Sequence, residues 1–293
     1  MRIVPLSPEH VRAVVRAALD EDAARADATV AFVGLGAASV RAEIRVSAET
    51  IVAGTGVARE VFAQLDAGVS FEAAVSDGER AAPGAVLVRL HGSAHSIVSA
   101  ERTALNFLQR MCGVATLAAR HVAAVAGTGV TILDTRKTAP LWRELDKYAV
   151  RCGGAGNHRP DLRAMVLIKD NHVRAAGGEE AVLTRIAATA RAAFVELEVD
   201  SAGFLERVLA SPACERIDRI MLDNFTPAQV RAAVARIDAW RRGRGGRRLE
   251  VEVSGGVVLE TIRDYAVPGV DFISVGAITH SAPAASMSLE ILA

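Results

Sequence analysis

The sequence predicts an α/β protein in two parts: an N-terminal α/β sandwich domain over residues 1–112 and a C-terminal incomplete (β/α) TIM-like barrel over residues 113–293. Three observations lead there. The first part alternates short apolar runs with turn dipeptides. From Gly129 onward, β-branched runs each end in a polar or glycine-rich cluster, and most are followed by a helical stretch. The length, 293 residues, is ample for one large core or two modest ones.

Val11, Val14, Val15 and Ala18 fall at helical spacing and predict a helix over residues 8–19. Strands are expected over residues 42–46, 50–53 and 85–90, separated by the turn signals Asp77-Gly78 and Pro83-Gly84. A further helix is expected over residues 99–126, with Ser99 as N-cap and Glu101 in its first turn. Gly113 is expected to break that helix and mark the domain boundary. Six strand-like runs then end at residues 132–134, 167–169, 197–199, 221–223, 251–254 and 273–276, spaced by about 22 to 35 residues. A parallel barrel exposes all its strand C-termini on one face, where barrel active sites lie. Lys137, Lys169, Glu198, Asp223, Ser254 and Gly276 are therefore expected to converge. Six runs are fewer than a full barrel's eight, hence the expectation of an incomplete one.

Composition removes several function classes. The 34 basic and 34 acidic residues cancel, so the chain lacks the charge footprint of a nucleic-acid or anionic-membrane binder. Arg, His or Asp interrupts every candidate membrane span. Arg2, two early prolines and Asp20-Glu21-Asp22 fit neither a secretory nor a transit segment, so a cytoplasmic location is expected. Cys112, Cys152 and Cys214 lie far apart without a CxxC pair, against a disulfide framework or structural zinc. Residues 241–248, rich in Arg and Gly, lack interleaved aromatics and read as a solvated loop. Only three of the 34 basic residues are lysines, at 137, 147 and 169. Where arginine serves the surface, a retained lysine is a candidate for work that needs a compact ammonium.

The candidate chemistry lies at the run ends. Asp134-Thr135-Arg136-Lys137-Thr138 sets an Arg and a Lys side by side, one suited to grip a carboxylate and the other a phosphate. Cys152-Gly153-Gly154-Ala155-Gly156 ahead of Asn157-His158-Arg159 reads as an anion cradle. No strand immediately precedes it and no GK[ST] follows, so it is no nucleotide-loop fingerprint. Lys169 closes the second run, where packing rarely needs an ammonium. Glu196 and Glu198 share a face of the third run, Asp223 ends the fourth and Glu252 lies in the fifth, all inviting ion pairs with these cations. Ser254-Gly255-Gly256 and Ser274-Val275-Gly276 offer backbone N–H groups where many barrels hold a phosphate. The seven histidines show no metal-ligand spacing; His158, His172 and His280 lie nearest the candidate loops.

Glu101-Arg102-Thr103-Ala104-Leu105-Asn106-Phe107, the 135–138 loop, residues 148–159, Leu167-Ile168-Lys169-Asp170-Asn171-His172 and Leu222-Asp223-Asn224 resemble, in this order, the quinolinate phosphoribosyltransferases. The likeness runs from about Glu60 to Leu292. It implies transfer of the phosphoribosyl group of phosphoribosyl pyrophosphate to quinolinate with decarboxylation, giving nicotinate mononucleotide, CO2 and pyrophosphate in NAD biosynthesis. It also implies a homo-oligomer, at least a dimer, in which Arg102 reaches the partner's substrate.

By the same resemblance Arg136, His158, Arg159 and Lys169 hold the two carboxylates of quinolinate, Thr135 binds beside them, and Lys137 meets the pyrophosphate. Glu198 and Asp223 match positions for the ribose hydroxyls and the Mg2+ carried by phosphoribosyl pyrophosphate. Lys137, Lys169, Glu198 and Asp223 form the implied catalytic set. Ser254, Gly255, Gly256, Ser274, Val275, Gly276 and His280 would surround the 5′-phosphate. The chain departs from the family pattern at Ala155, Asp161 and Met111-Cys112. Ala48 stands where a basic residue is usual, with Arg45 or Arg59 as substitutes. Retention of Arg102 and Asn157-His158-Arg159 speaks against a related protein for another anion. A silent binding module would carry costly unused charges.

Overall fold

The computed structural model describes residues 3–36, 38–190, 193–246 and 248–292. The chain forms two compact units: Met1–Ala119 with Thr138–Ala155 and Ile278–Ala293, and Arg120–Lys137 with Gly156–Ala277. Each unit is assembled from separated stretches of the chain.

The first unit opens with the helix Pro8–Glu21, which buries Val11, Val15 and Leu19. Ser7 caps it, its Oγ accepting the His10 N–H, and Pro8 occupies the first turn, where no donor is missed. Strands β1 (Ser39–Val46), β3 (Ser70–Ala73), β5 (Val86–Ser93) and β12 (Met287–Leu292) form an antiparallel sheet in the order β12-β1-β5-β3. Ala42, Ile44 and Val46 of β1 are buried and alternate with more exposed residues, the pattern of a sheet with one covered face. β2 (Thr50–Ile51) and β4 (Arg80–Ala81) pair separately. The helix Thr55–Leu65 packs on Pro8–Glu21 and buries Val57, Ala58, Val61 and Phe62.

Two expectations about the long helix are corrected. It runs unbroken from Ala94 to Ala124. Ser99 is therefore interior, and its hydroxyl donates to Asp27 Oδ2 at 3.1 Å rather than capping. Gly113 is no break: a Cβ there would lie 2.0 Å from the carbonyl oxygen of Pro283. The glycine lets the 283–284 backbone lie directly on the helix, which outweighs its cost of about 1 kcal/mol in a helix interior.

The second unit holds all six expected runs as strands: β6 (Thr131–Leu133), β7 (Val166–Ile168), β8 (Val195–Val199), β9 (Arg219–Asp223), β10 (Glu250–Ser254) and β11 (Phe272–Ser274). They form one parallel sheet in the order β6-β11-β10-β9-β8-β7. Ile220, Met221 and Leu222 are buried consecutively, as are Val251, Glu252 and Val253, which is how a parallel strand covered on both faces reads. Helices Asp170–Ala175, Glu179–Ala188, Ala202–Ala210 and Pro227–Gly243 connect successive strands. The last begins with a reciprocal Thr226–Gln229 capping box. It also absorbs the start of the 241–248 run: Arg241 donates from Nε to Leu249 O and pairs with Asp238. That stretch is a helix end rather than wholly a loop, and Arg247 lies outside the described residues. No helix among the described residues is long and apolar enough to cross a membrane.

Candidate active site at the strand ends of the second unit

The loop after β6 is organised by Asp134, a fully buried carboxylate. Its Oδ1 accepts the backbone N–H of His158 at 2.8 Å, and its Oδ2 accepts from Asn157 Nδ2 at 2.8 Å. Gly156 runs beside β6, its N–H donating to Ile132 O at 2.7 Å and its carbonyl accepting the Asp134 N–H. These bonds bring the Arg136 and Arg159 charges near each other. Burial, then the field of Arg136, lowers the Arg159 pKa from its ordinary value. Arg159 Nη1 also donates to Met165 O at 3.2 Å.

The glycine run before Asn157 is not the expected cradle. A Cβ on Gly153 would lie 2.3 Å from Ala115 O, and one on Gly156 2.7 Å from Leu133 Cδ2. Each glycine serves close packing within its own unit.

At the end of β7, Lys169 Nζ lies 2.5 Å from Glu198 Oε2 on β8. Asp223 ends β9. Burial raises its carboxyl pKa, and the charge of Glu198 raises it further, while Lys169 and Lys137 oppose the shift. Asp223 thus feels the charges of Glu198, Lys169 and Lys137 together, with Lys169, Glu198 and Asp223 at the ends of the neighbouring strands β7, β8 and β9. Thr135 Oγ1 accepts the Lys137 N–H at 3.0 Å, a local turn that fixes the path of this loop.

Ser254 closes β10 and accepts the Asn224 N–H through its carbonyl at 2.9 Å. Gly255 follows with φ +82°, and a Cβ there would lie 2.4 Å from Asn224 Oδ1. Ser274, Val275 and Gly276 continue from β11. The Val275 N–H is not available to a phosphate, because it donates to Leu133 O at 2.9 Å. Small residues at strand ends signalled open donors, yet this one extends the sheet pairing.

Arg102 and His280 belong to the first unit. Arg102 is exposed on the long helix. His280 ends the short helix Ala277–His280 with Nδ1 2.6 Å from Ser281 Oγ. Arg45 pairs with Glu43 at 2.5 Å, and Arg59 lies 4.7 Å over the Phe71 ring while donating to Phe71 O. Both substitutes considered for Ala48 are thus engaged within the first unit.

Behind the strand ends lies a buried ionic cluster. Glu196 and Glu252 are fully buried. His158 Nε2 faces Glu196 Oε2 at 3.2 Å and Glu252 Oε1 at 3.6 Å. Arg219 Nη1 donates to Glu252 Oε2 at 2.8 Å and lies 4.0 Å from Glu196 Oε2, while its Nη2 reaches Glu250 at 2.9 Å. The ring of Phe272 lies 4.0 Å below the guanidinium. Burial pushes both Glu196 and Glu252 up to about 7 despite Arg219. Ligand atoms of His158, Glu196 and Glu252 lie within 4.8 Å of one another, and the one positive charge of Arg219, shared with Glu250, sits beside the two glutamates. Sequence reading noted the two glutamates and missed Arg219. The usable signal was an Arg opening an apolar strand flanked by strands that carry glutamates.

Strand ends that gather two lysines, two arginines and two carboxylates in a parallel βα sheet suit a sugar bearing several phosphates together with an acidic acceptor, the task of a pentosyltransferase. The chain belongs to the quinolinate phosphoribosyltransferase family: residues 27–112 match its N-terminal domain and residues 114–290 its C-terminal domain. Quinolinate phosphoribosyltransferase (decarboxylating) 1b of Nicotiana tabacum is 37% identical, with 98% of this chain and 84% of the relative covered. The probable nicotinate-nucleotide pyrophosphorylase (carboxylating) of Bacillus subtilis (strain 168) is 36% identical, with 87% and 85% covered. The solved nicotinate-nucleotide pyrophosphorylase of Francisella tularensis is similar at a TM-score of 0.88 and 36% identity, over 100% of this chain and 99% of that one.

Proposed function

We infer that the protein transfers the phosphoribosyl group of phosphoribosyl pyrophosphate to quinolinate with decarboxylation, forming nicotinate mononucleotide for NAD biosynthesis. The observation that carries this reading is the meeting of Lys137, Lys169, Glu198 and Asp223 in one electrostatic neighbourhood, in a member of this family.

A dicarboxylate and a pyrophosphate repel each other unless cations neutralise both, and charge-assisted hydrogen bonds contribute roughly 1.5–3 kcal/mol each. Arg136, His158, Arg159 and Lys169 take the two carboxylates, with Thr135 beside them. Lys137 meets the pyrophosphate. Glu198 and Asp223 receive the ribose hydroxyls. The 254–256 turn, with Ser274 and Gly276, serves the 5′-phosphate. Magnesium enters with phosphoribosyl pyrophosphate as part of that substrate. Glu198 and Asp223 would offer their carboxylates to that cation, and burial, then the charge of Glu198, already raises the Asp223 carboxyl pKa. When bound, the cation neutralises the leaving pyrophosphate.

The pyridine nitrogen bonds to C1 of the ribose as the C1–O bond breaks and its electron pair leaves with pyrophosphate. The ring nitrogen is then cationic, so the electron pair of the breaking C2–carboxylate bond is stabilised beside it as CO2 departs, and C2 takes a proton. Fixed charges position both steps, and electrostatic preorganisation does more here than proton transfer. The active form is a homo-oligomer, at least a dimer, with Arg102 completing the partner's site, and its location is the cytoplasm.

The test mixes purified protein with quinolinate, phosphoribosyl pyrophosphate and Mg2+ and follows quinolinate loss and CO2 release together. Equal loss and release support the reading. No turnover, or turnover of nicotinate instead of quinolinate, overturns it.

A further inference from the structure

The cation set at the strand ends has a second layer that holds it. His158 and Arg159 project from a segment with no helix or strand of its own, so something other than regular secondary structure must fix their direction. Asp134 fixes the backbone. The His158 ring meets a backbone donor at one edge and two glutamates at the other.

Its Nδ1 accepts the backbone N–H of Arg159 at 2.7 Å. A nitrogen that accepts carries no proton, so the proton of the neutral ring resides on Nε2. That nitrogen faces Glu196 Oε2 and Glu252 Oε1. The polarity therefore matches at both edges: a lone pair toward an N–H, and an N–H toward two carboxylates. Glu252 is held in turn by Arg219. Arg219 stands opposite Glu196 on β8 and Glu250 on β10 and lies over the Phe272 ring. The arrangement runs from three neighbouring strands through the imidazole into the Arg159 backbone.

We propose that Glu196 and Glu252 are positioning residues for the transfer: they hold the His158 imidazole in its Nε2–H form, and through it orient Arg159 toward the acidic acceptor. The proposal rests on the reading above that His158 and Arg159 face quinolinate. Neither glutamate touches substrate in this scheme. The expected signature is on the acceptor alone, since phosphoribosyl pyrophosphate is met by other residues.

Two measurements on the full chain test it. Histidine side-chain 15N NMR of the substrate-free protein, with the His158 signal assigned by its loss in His158→Asn, reads the tautomer directly. An unprotonated Nδ1 with a protonated Nε2 is expected. A proton on Nδ1 in the neutral ring overturns the proposal whatever any variant does. In Glu252→Gln and Glu196→Gln, the His158 resonances should shift and the KM for quinolinate should rise about tenfold, with the KM for phosphoribosyl pyrophosphate within about twofold. Unchanged His158 resonances in both variants, or an equal rise in both KM values, also overturn it. If the wild-type protein fails to turn over quinolinate at all, the functional reading fails, while the NMR result still decides whether the glutamates hold the ring.

Discussion

Asp134 accepts the His158 N–H through Oδ1 at 2.8 Å, a bond between residues 24 apart in sequence that joins the end of β6 to the Asn157–Arg159 segment. Asp134, His158 and their surroundings are buried, so the bond has no ready replacement from water. Asp134→Ala leaves that N–H without its acceptor, and a loss of about 2 kcal/mol in urea unfolding is expected. Turnover should fall with it, because the segment carrying Arg159 loses its anchor. A variant as stable as wild type would show the bond to be dispensable.

Lys169 behaves differently. Its side chain is 43% exposed although it pairs with Glu198, so the pair adds little to stability. Lys169→Met should change the unfolding free energy by less than about 1 kcal/mol. It should lower kcat/KM by about a hundredfold or more if the ammonium contacts the reacting substrates. A large stability loss with modest loss of turnover would reverse the assignment and make Lys169 structural.

Two helical glycines separate close packing from intrinsic propensity. Gly113→Ala puts a methyl 2.0 Å from Pro283 O and should destabilise by roughly 2 kcal/mol or more through overpacking. Gly56→Ala, in the helix Thr55–Leu65 with open space around its Cβ, should stabilise by about 0.5–1 kcal/mol. Thermal unfolding of the two variants beside wild type checks both signs.

The buried glutamates predict a pH dependence opposite to that of ordinary paired carboxylates. Glu252 rises from 4.5 to about 7 on folding, so the native state binds the proton more tightly than the unfolded chain. Its contribution is most favourable below 4.5 and is lost as pH climbs through about 7. Glu252→Gln removes this titration. The stability difference, wild type minus variant, should therefore shift toward the variant between pH 5 and pH 8, as measured by urea unfolding at each pH. A constant difference would mean that Glu252 does not titrate in that window.

The proposed sharing of sites across an oligomer predicts complementation. Arg102→Ala and Lys137→Ala should each abolish most activity without unfolding the chain. Hetero-oligomers of the two should recover activity, because one of their sites would contain both wild-type residues. Verified mixed oligomers without recovery would place Arg102 in the same chain's site or in none.

The second unit's strands were legible because each parallel strand buries a short β-branched run and ends in polar residues. Lys169, Glu198 and Asp223 could be placed from that alone. The C-terminal strand β12 was not read, although Met-Ser-Leu-Glu-Ile alternates apolar and polar residues, and its partner β1 lies more than two hundred positions earlier. Gly113 was misread for a related reason: the backbone it accommodates, near Pro283, is likewise remote in sequence. Ser99 looked like a cap because its chemistry suits one, yet a hydroxyl inside a helix can also serve a distant carboxylate, here Asp27. At the site, charge type was readable, whereas partner choice was not. Nothing local to Val275 discloses that its N–H belongs to Leu133.

The register of β12 against β1, from Met287 opposite Val46 to Leu292 opposite Arg41, also orders events during synthesis. The residues of β1 leave the ribosome early, but their neighbour emerges only after the whole parallel sheet has been made. At about 5–20 residues per second, the nascent β1 edge waits on the order of ten seconds or more with its hydrogen-bonding groups uncovered. For this chain the first sheet begun is the last one finished, and that interval is when nascent copies on neighbouring ribosomes are most prone to pair with each other.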